Sequence, residues 1–188
     1  GIALDIEPGK YYDASVYGIA ISTKHDHYYI DIEDAKKDDA LKEILKSDSY
    51  KKNCFNYKAI KVALSKYGLE IEGLCFDALL AIYILETSLN GDIESTMRFF
   101  GINISSNKDD MLSLFESKDT VRAAKIAYGS LKIRDKALKD IEELHCLELF
   151  NEVDMPLSSV LAEIEIEGFP MDKKVLEEIG EGFKIKLN

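Results

Sequence analysis

Two carboxylates one residue apart, Asp5 and Glu7, stand at the end of the apolar run Ile2-Ala3-Leu4. In an extended strand residues i and i+2 face the same side, so the spacing predicts two acids presented together. Hard divalent cations take such oxygen ligands, although tight binding needs more of them in fixed geometry. A pair of solvated acids at a strand end is the commoner meaning of so short a pattern. His25-Asp26-His27 also carries ligand chemistry, but it falls on a polar turn without further ligands beside it. Lys51-Lys52 and the series Lys58, Lys61 and Lys66 are the main basic clusters. A solvated helix face is their plain reading, and a strip facing nucleic acid the sharper one. His145 and Cys146 lie in a long helical stretch and read as packing residues.

The elements that would position these groups follow from periodicity. The first third reads as β: Ile2–Ile6, Tyr17–Ser22 and Tyr28–Ile32, joined by short turns as an antiparallel meander. Helical spacing then takes over at Asp38–Lys46, with Leu41, Ile44 and Leu45 on one face. A short strand near Tyr50–Phe55 leads into a helix over Asn56–Tyr67, which Gly68 ends in a left-handed conformation. A further strand over Ile71–Cys75 precedes a helix capped by Asp77, which Asn90-Gly91 breaks. From Asp92 onward only helices are expected: Ile93–Phe100, Lys108–Ser117, Thr120–Tyr128 and a long one over Ser130–Val153. Pro156 opens the next, at a position where its missing N–H costs nothing, and a last helix starts near Asp172. A mixed sheet flanked by helices, with a helical C-terminal extension, is an α/β layered architecture.

The bulk properties narrow the function. The chain has 188 residues, 46% hydrophobic and 31% charged, which suits one well-packed domain with some chain to spare. Its net charge is −11, from 35 acidic against 24 basic residues, so it lacks the basic excess with which proteins grip phosphates. Cys54, Cys75 and Cys146 are widely separated, which argues against a zinc site or a disulfide framework and fits a cytoplasmic setting. No run of 18 apolar residues offers a membrane span. Gly-x-Gly-x-x-Gly, phosphate-loop and Gly-x-Ser-x-Gly patterns are absent. The chain opens inside an apparent strand and stops inside an apparent helix, which reads as a piece of a longer protein.

Several stretches together resemble the 3′–5′ exonuclease-like domain of bacterial DNA polymerase I, a branch of the DEDD exonucleases. Asp5-Ile6-Glu7 resembles the first motif, Asp-x-Glu. Asn56-Tyr57-Lys58-Ala59-Ile60 resembles the second, Asn-x-x-x-Asp, and Tyr67-Gly68-Leu69-Glu70 through Phe76-Asp77 resembles the stretch after it. Tyr128 resembles the tyrosine of the third motif, Tyr-x-x-x-Asp. Met155-Pro156-Leu157 and Ile164 to Asp172 resemble the junction at which the polymerase body begins. The resemblance implies an RNase H-like fold over residues 1–150 and the start of the polymerase body over 151–188.

In that family four carboxylates hold two divalent ions about 4 Å apart, which clamp the attacking and leaving oxygens. A tyrosine orients the water. Here Asp5 and Glu7 remain, while Ile60 and Lys132 occupy the other two acid positions. The expectation is therefore a degenerate, inactive domain, in which Asp5, Glu7 and Tyr128 are remnants and the pair of acids holds a cation weakly or not at all. It would serve as a scaffold beside a DNA-synthesising polymerase body, meet DNA through that parent enzyme and act as a monomer. On this view Ile60 packs among apolar side chains and Lys132 pairs with Asp5 or Glu7. Two alternatives remain. One is an active exonuclease using Mg²⁺ or Mn²⁺, with Asp135 as a substitute ligand; the other is a non-catalytic binding module of the same layered fold.

Overall fold

The computed structural model describes residues 1–104 and 119–187. Three strands form an antiparallel meander: β1 (Ile2–Ile6), β2 (Val16–Ser22) and β3 (His27–Asp31), in the order β1-β2-β3. Ile2 lies opposite Ile21 and Leu4 opposite Ile19, so the alternating apolar residues meet across the ladder. The register slips between Asp5 and Ile6, where Ile6 faces Val16. Ile32 does not extend β3 as the sequence suggests. It is buried and opens the one-turn helix α1 (Ile32–Ala35). Helix α2 (Asp39–Lys46) follows, capped by Asp38, whose carboxylate accepts from the Leu41 N–H at 3.0 Å.

A parallel pair completes the strands seen among the described residues: β4 (Lys52–Cys54) and β5 (Leu74–Asp77). The crossover between them is α3 (Tyr57–Ser65). Residues 71–73, expected in the strand, lie before β5, because Gly73 adopts φ +77°. A Cβ there would come within 2.8 Å of the Tyr50 carbonyl oxygen. Helix α4 (Ala78–Leu85) leads through a 3₁₀ turn, Thr87–Leu89, to Asn90 in the left-handed region and then α5 (Ile93–Phe99). The helix expected over Lys108–Ser117 lies outside the described residues.

Helix α6 (Thr120–Glu143) is one element of 24 residues, where the sequence suggests a break at Gly129. Gly129 is buried against α5, and a Cβ on it would stand 2.7 Å from the Met97 sulfur. The glycine therefore serves close helix approach rather than chain reversal. The long helix also ends ten residues before the expected Val153. His145 takes φ +58° and is exposed, so it terminates the helix instead of packing within one, and Cys146 donates its thiol to the Leu144 carbonyl at 3.4 Å. The short α7 (Leu147–Leu149) and a wide π turn, Phe150–Asp154, carry the chain into α8 (Met155–Glu167), where Pro156 sits in the first turn. Gly168 ends α8 with φ +66°, and α9 (Lys173–Leu187) follows.

Two apolar clusters hold the layers together. Ile2, Val16, Ile19, Leu45, Tyr57, Ile60, Leu64 and Ile71 fill the space between the strands and α1–α3. Phe76, Ala81, Met97, Ile126, Ile133, Ile141 and Phe150 fill the other, beneath α4–α6. No helix among the described residues is long and apolar enough to cross a membrane.

Candidate functional site

Asp5 is 5% exposed, although it carries a charge. A buried carboxylate needs donors, and it has them. The Tyr29 hydroxyl donates to its Oδ2 at 2.9 Å, and the Asp119 backbone N–H lies 3.1 and 3.0 Å from its two oxygens. Tyr29 reaches Asp5 by crossing β2 at Gly18, the residue that pairs with Asp5 on one side and Asp31 on the other. A Cβ at Gly18 would stand 2.5 Å from the Tyr29 ring, so only glycine leaves that path open. Burial, reinforced by the hydrogen bond and the charge of Asp5, pushes the Tyr29 hydroxyl far above its usual value. Tyr29 therefore stays a donor. Asp119 in turn caps α6 through its carboxylate, which accepts from the Arg122 N–H at 3.0 Å. Asp5 thus anchors the start of α6 to the sheet.

Glu7 has different partners. It lies past the end of β1 and is exposed. Its backbone N–H donates to the Ser15 carbonyl at 2.9 Å, and its Oε2 accepts from the Ser15 N–H at 3.4 Å. The i, i+2 spacing places both acids near one strand end, but Asp5 is engaged under α6 while Glu7 closes the loop between β1 and β2.

The other positions are apolar or cationic. Ile60 is 5% exposed within the cluster of Val16, Tyr57, Ala63 and Leu64. Tyr128 is half-buried on α6, edge-on to the His27 ring with centroids 5.2 Å apart. Lys132 is exposed, and its Nζ sits 5.2 Å from the centre of the Tyr128 ring. The expected ion pair with Asp5 or Glu7 is not formed, because Asp5 is satisfied by Tyr29 and Asp119 while Lys132 lies over Tyr128. Asp135, the candidate substitute, has a side chain 90% exposed and pairs with Arg134 at 3.1 Å. Tyr128, His27, Tyr29 and Val121 line an open groove of about 410 Å³. His25 and Asp26 are exposed on the turn beside it.

A two-ion centre needs several converging oxygen ligands. Among the described residues no three His, Cys, Asp or Glu side chains converge in that way. A cation at Asp5 would have to displace a phenol and a backbone N–H, neither of which can ligate it as a carboxylate does. The described residues therefore do not fit a pair of Mg²⁺ or Mn²⁺ ions.

Asp77 and the lysines have roles that spacing alone only partly conveys. Asp77 is 1% exposed and caps α4, accepting from the Leu79 N–H at 2.9 Å. Its carboxylate also accepts from the N–H groups of Asn56 at 2.8 Å and Tyr57 at 2.7 Å, so it closes the start of α3 as well. Burial raises its pKa, and these backbone hydrogen bonds act in the opposite sense. The basic clusters are only in part the solvated face the sequence suggests: Lys51 and Lys66 are exposed, whereas Lys52 and Lys61 are buried. Lys52 is 7% exposed and donates to the Ser47 carbonyl at 2.7 Å, with burial lowering its pKa. Lys61 is 8% exposed and held by Glu72 at 2.8 Å, Glu163 at 2.9 Å and the Ser159 hydroxyl at 2.9 Å. Lys58 pairs with Glu165, which also accepts from the Tyr11 hydroxyl at 2.7 Å. Lys66 donates to the Tyr12 carbonyl. The sequence offers no signal for these partners, since Glu163 and Glu165 lie about a hundred residues downstream.

Comparison with known proteins places this geometry. The family described as "DNA polymerase I, ribonuclease H-like domain" matches residues 2–112. DNA polymerase I of Bacillus subtilis (strain 168) is 30% identical over 186 residues, covering 95% of this chain and 21% of that protein. DNA polymerase I of Bacillus caldotenax is 29% identical over 188 residues, covering 96% and 21%. The chain thus spans about a fifth of the length of these relatives. A solved structure, "POL domain of Pol1 from M. smegmatis complex with DNA primer-template and dNTP", shares the fold with a TM-score of 0.75 at 20% identity, over 97% of this chain and 31% of that one. The chain belongs to the family of the DNA polymerase I ribonuclease H-like domain.

Proposed function

We propose that this chain is a non-catalytic 3′–5′ exonuclease-like domain that serves a DNA polymerase I as a structural scaffold. The observation that carries the reading is the state of the first-motif aspartate. Asp5 is committed to holding Tyr29 and the start of α6, and among the described residues no three His, Cys, Asp or Glu side chains gather as a metal site would need. Ile60 belongs to the core, and Lys132 rests on Tyr128.

The partner in this reading is the polymerase body of the same protein, beginning near residue 151. Two observations support it. The relatives are DNA polymerase I chains about five times as long, of which this chain spans 21%. The exposed bulky apolar residues also crowd the C-terminal helices, with Phe169 73%, Met171 60% and Phe183 60% exposed. Bulky apolar side chains exposed in such number on one part of a chain fit a protein interface. With a net charge of −11, the domain leaves phosphate contacts to the rest of the enzyme.

The test is degradation of 3′-labelled single-stranded DNA in Mg²⁺ and in Mn²⁺, with Asp5→Ala/Glu7→Ala as the control. No degradation above the control is expected. Metal-dependent degradation that disappears in the control would overturn the proposal.

A further inference from the structure

Helix α8 leaves bulky apolar side chains exposed and meets the rest of the chain partly through charges. An ordinary surface helix turns its bulky apolar residues to the core and its charges to water. Here Leu157, Val160, Leu161, Ile164 and Ile166 are each between 42% and 51% exposed. Toward the rest of the chain α8 buries Met155, Ser158 and Ala162, the last two small. Two of its acids nonetheless reach lysines of α3, although the Glu163 side chain stays 63% exposed and that of Glu165 34%. Glu163 and Ser159 hold Lys61, and Glu165 holds Lys58 and Tyr11. Glu72, from the loop before β5, supplies the remaining contact to Lys61.

We infer that α8 is joined to the exonuclease-like layer by an ionic seam, and that this seam opens as a unit while the rest of the fold stays closed. Burial of Lys61 among two carboxylates and a hydroxyl removes much of its hydration, and separation gives that hydration back. Opening is therefore less unfavourable than parting an apolar interface of the same extent, which regains no such solvation. Phe150 marks the last fixed point. It is fully buried, with its ring 6.1 Å from that of Phe76, and the wide turn Phe150–Asp154 follows it directly. The purpose of the seam rests on the scaffold reading: α8 would move with the polymerase body that covers its apolar face, and Lys58 and Lys61 would set its resting angle. The geometry of the seam stands apart from nuclease activity, so either proposal can fail alone.

Amide hydrogen exchange on the 188-residue chain tests it. A helix of 13 residues freed from its seat is marginal in water, so opening exposes its amides. The double variant Glu163→Gln/Glu165→Gln alters only side chains at the seam. It is expected to accelerate exchange over 155–167 by at least about tenfold, with 16–22 in β2 unchanged. Raising salt from roughly 0.05 M to about 1 M should move the unaltered chain the same way by a smaller factor, because Lys61 is too buried to be fully screened. Lys61→Met, which keeps the aliphatic stem and makes the contact apolar, should instead leave exchange over 155–167 unchanged or slower; if it unfolds, the glutamine variant decides alone. Unchanged exchange in α8 of the glutamine variant, or acceleration shared equally by β2, would overturn the inference.

Discussion

Asp5 and Glu7 would behave alike if they were two ligands of one ion, and the geometry gives them unequal tasks. Removing the Asp5 carboxylate leaves a buried N–H of Asp119 and a Tyr29 hydroxyl without their acceptor. Asp5→Ala is expected to lower stability by about 3 kcal/mol, the scale of losing charge-assisted hydrogen bonds in a buried place. Glu7→Ala, at an exposed residue with one long contact, should stay within about 0.5 kcal/mol. Urea denaturation of the two single variants separates the cases. Equal losses that grow when Mn²⁺ is present would point back to a shared metal. At this scale the sequence is a partial guide. It identifies Asp77 as a cap and Ile60 as apolar, because those follow from local pattern. It cannot show that Tyr29 crosses Gly18 to reach Asp5, since that contact depends on a register fixed across three strands.

Among the elements, β1–β3, α2, α3 and the start of α8 are legible because each is bounded by its own capping or turn residue. Gly129 misleads for a physical reason: a glycine inside helical spacing reads as a break, yet here its missing side chain makes room for Met97. Gly129→Val should therefore cost about 1–3 kcal/mol through overpacking, visible as a lower thermal midpoint with helical content retained. The α3–α8 seam predicts a pH dependence. Its hydrogen bonds to Lys61 hold the Glu163 carboxyl below the ordinary glutamate value of 4.5, and those to Lys58 do the same for Glu165. A depressed folded-state pKa contributes stability that is full above the unfolded value and is lost as pH falls through the folded one. Lys58, Lys61, Tyr11, Glu72 and Ser159 face these acids, and the lysines stay charged throughout. Exchange over 155–167 should thus accelerate relative to β2 as the pH falls below about 4.5, while pH 6 to 8 leaves the ratio flat.

For the whole molecule, the unequal distribution of apolar surface has an observable result. Phe169 and Phe183 lie in the exposed C-terminal part rather than in either core cluster. The isolated chain should bind a hydrophobic dye, and Phe169→Ser/Phe183→Ser should reduce that signal at least twofold while moving the urea midpoint little. An unchanged signal would place the dye elsewhere. The layered architecture could be read in advance from strands followed by helices. The candidate site could be read only as a set of lost and kept positions, because what Asp5 and the lysines do instead depends on partners distant in sequence. Asp77 carries a consequence for how the chain holds together. One carboxylate accepts from the opening N–H groups of both α3 and α4, at the point where β4 and β5 lie side by side. The strand that delivers this residue thus ties the start of α3, which the Asn56 side chain also caps, to the start of α4. A change at Asp77 would therefore loosen two helices of the β-α-β-α run from Lys52 to Leu85 at once.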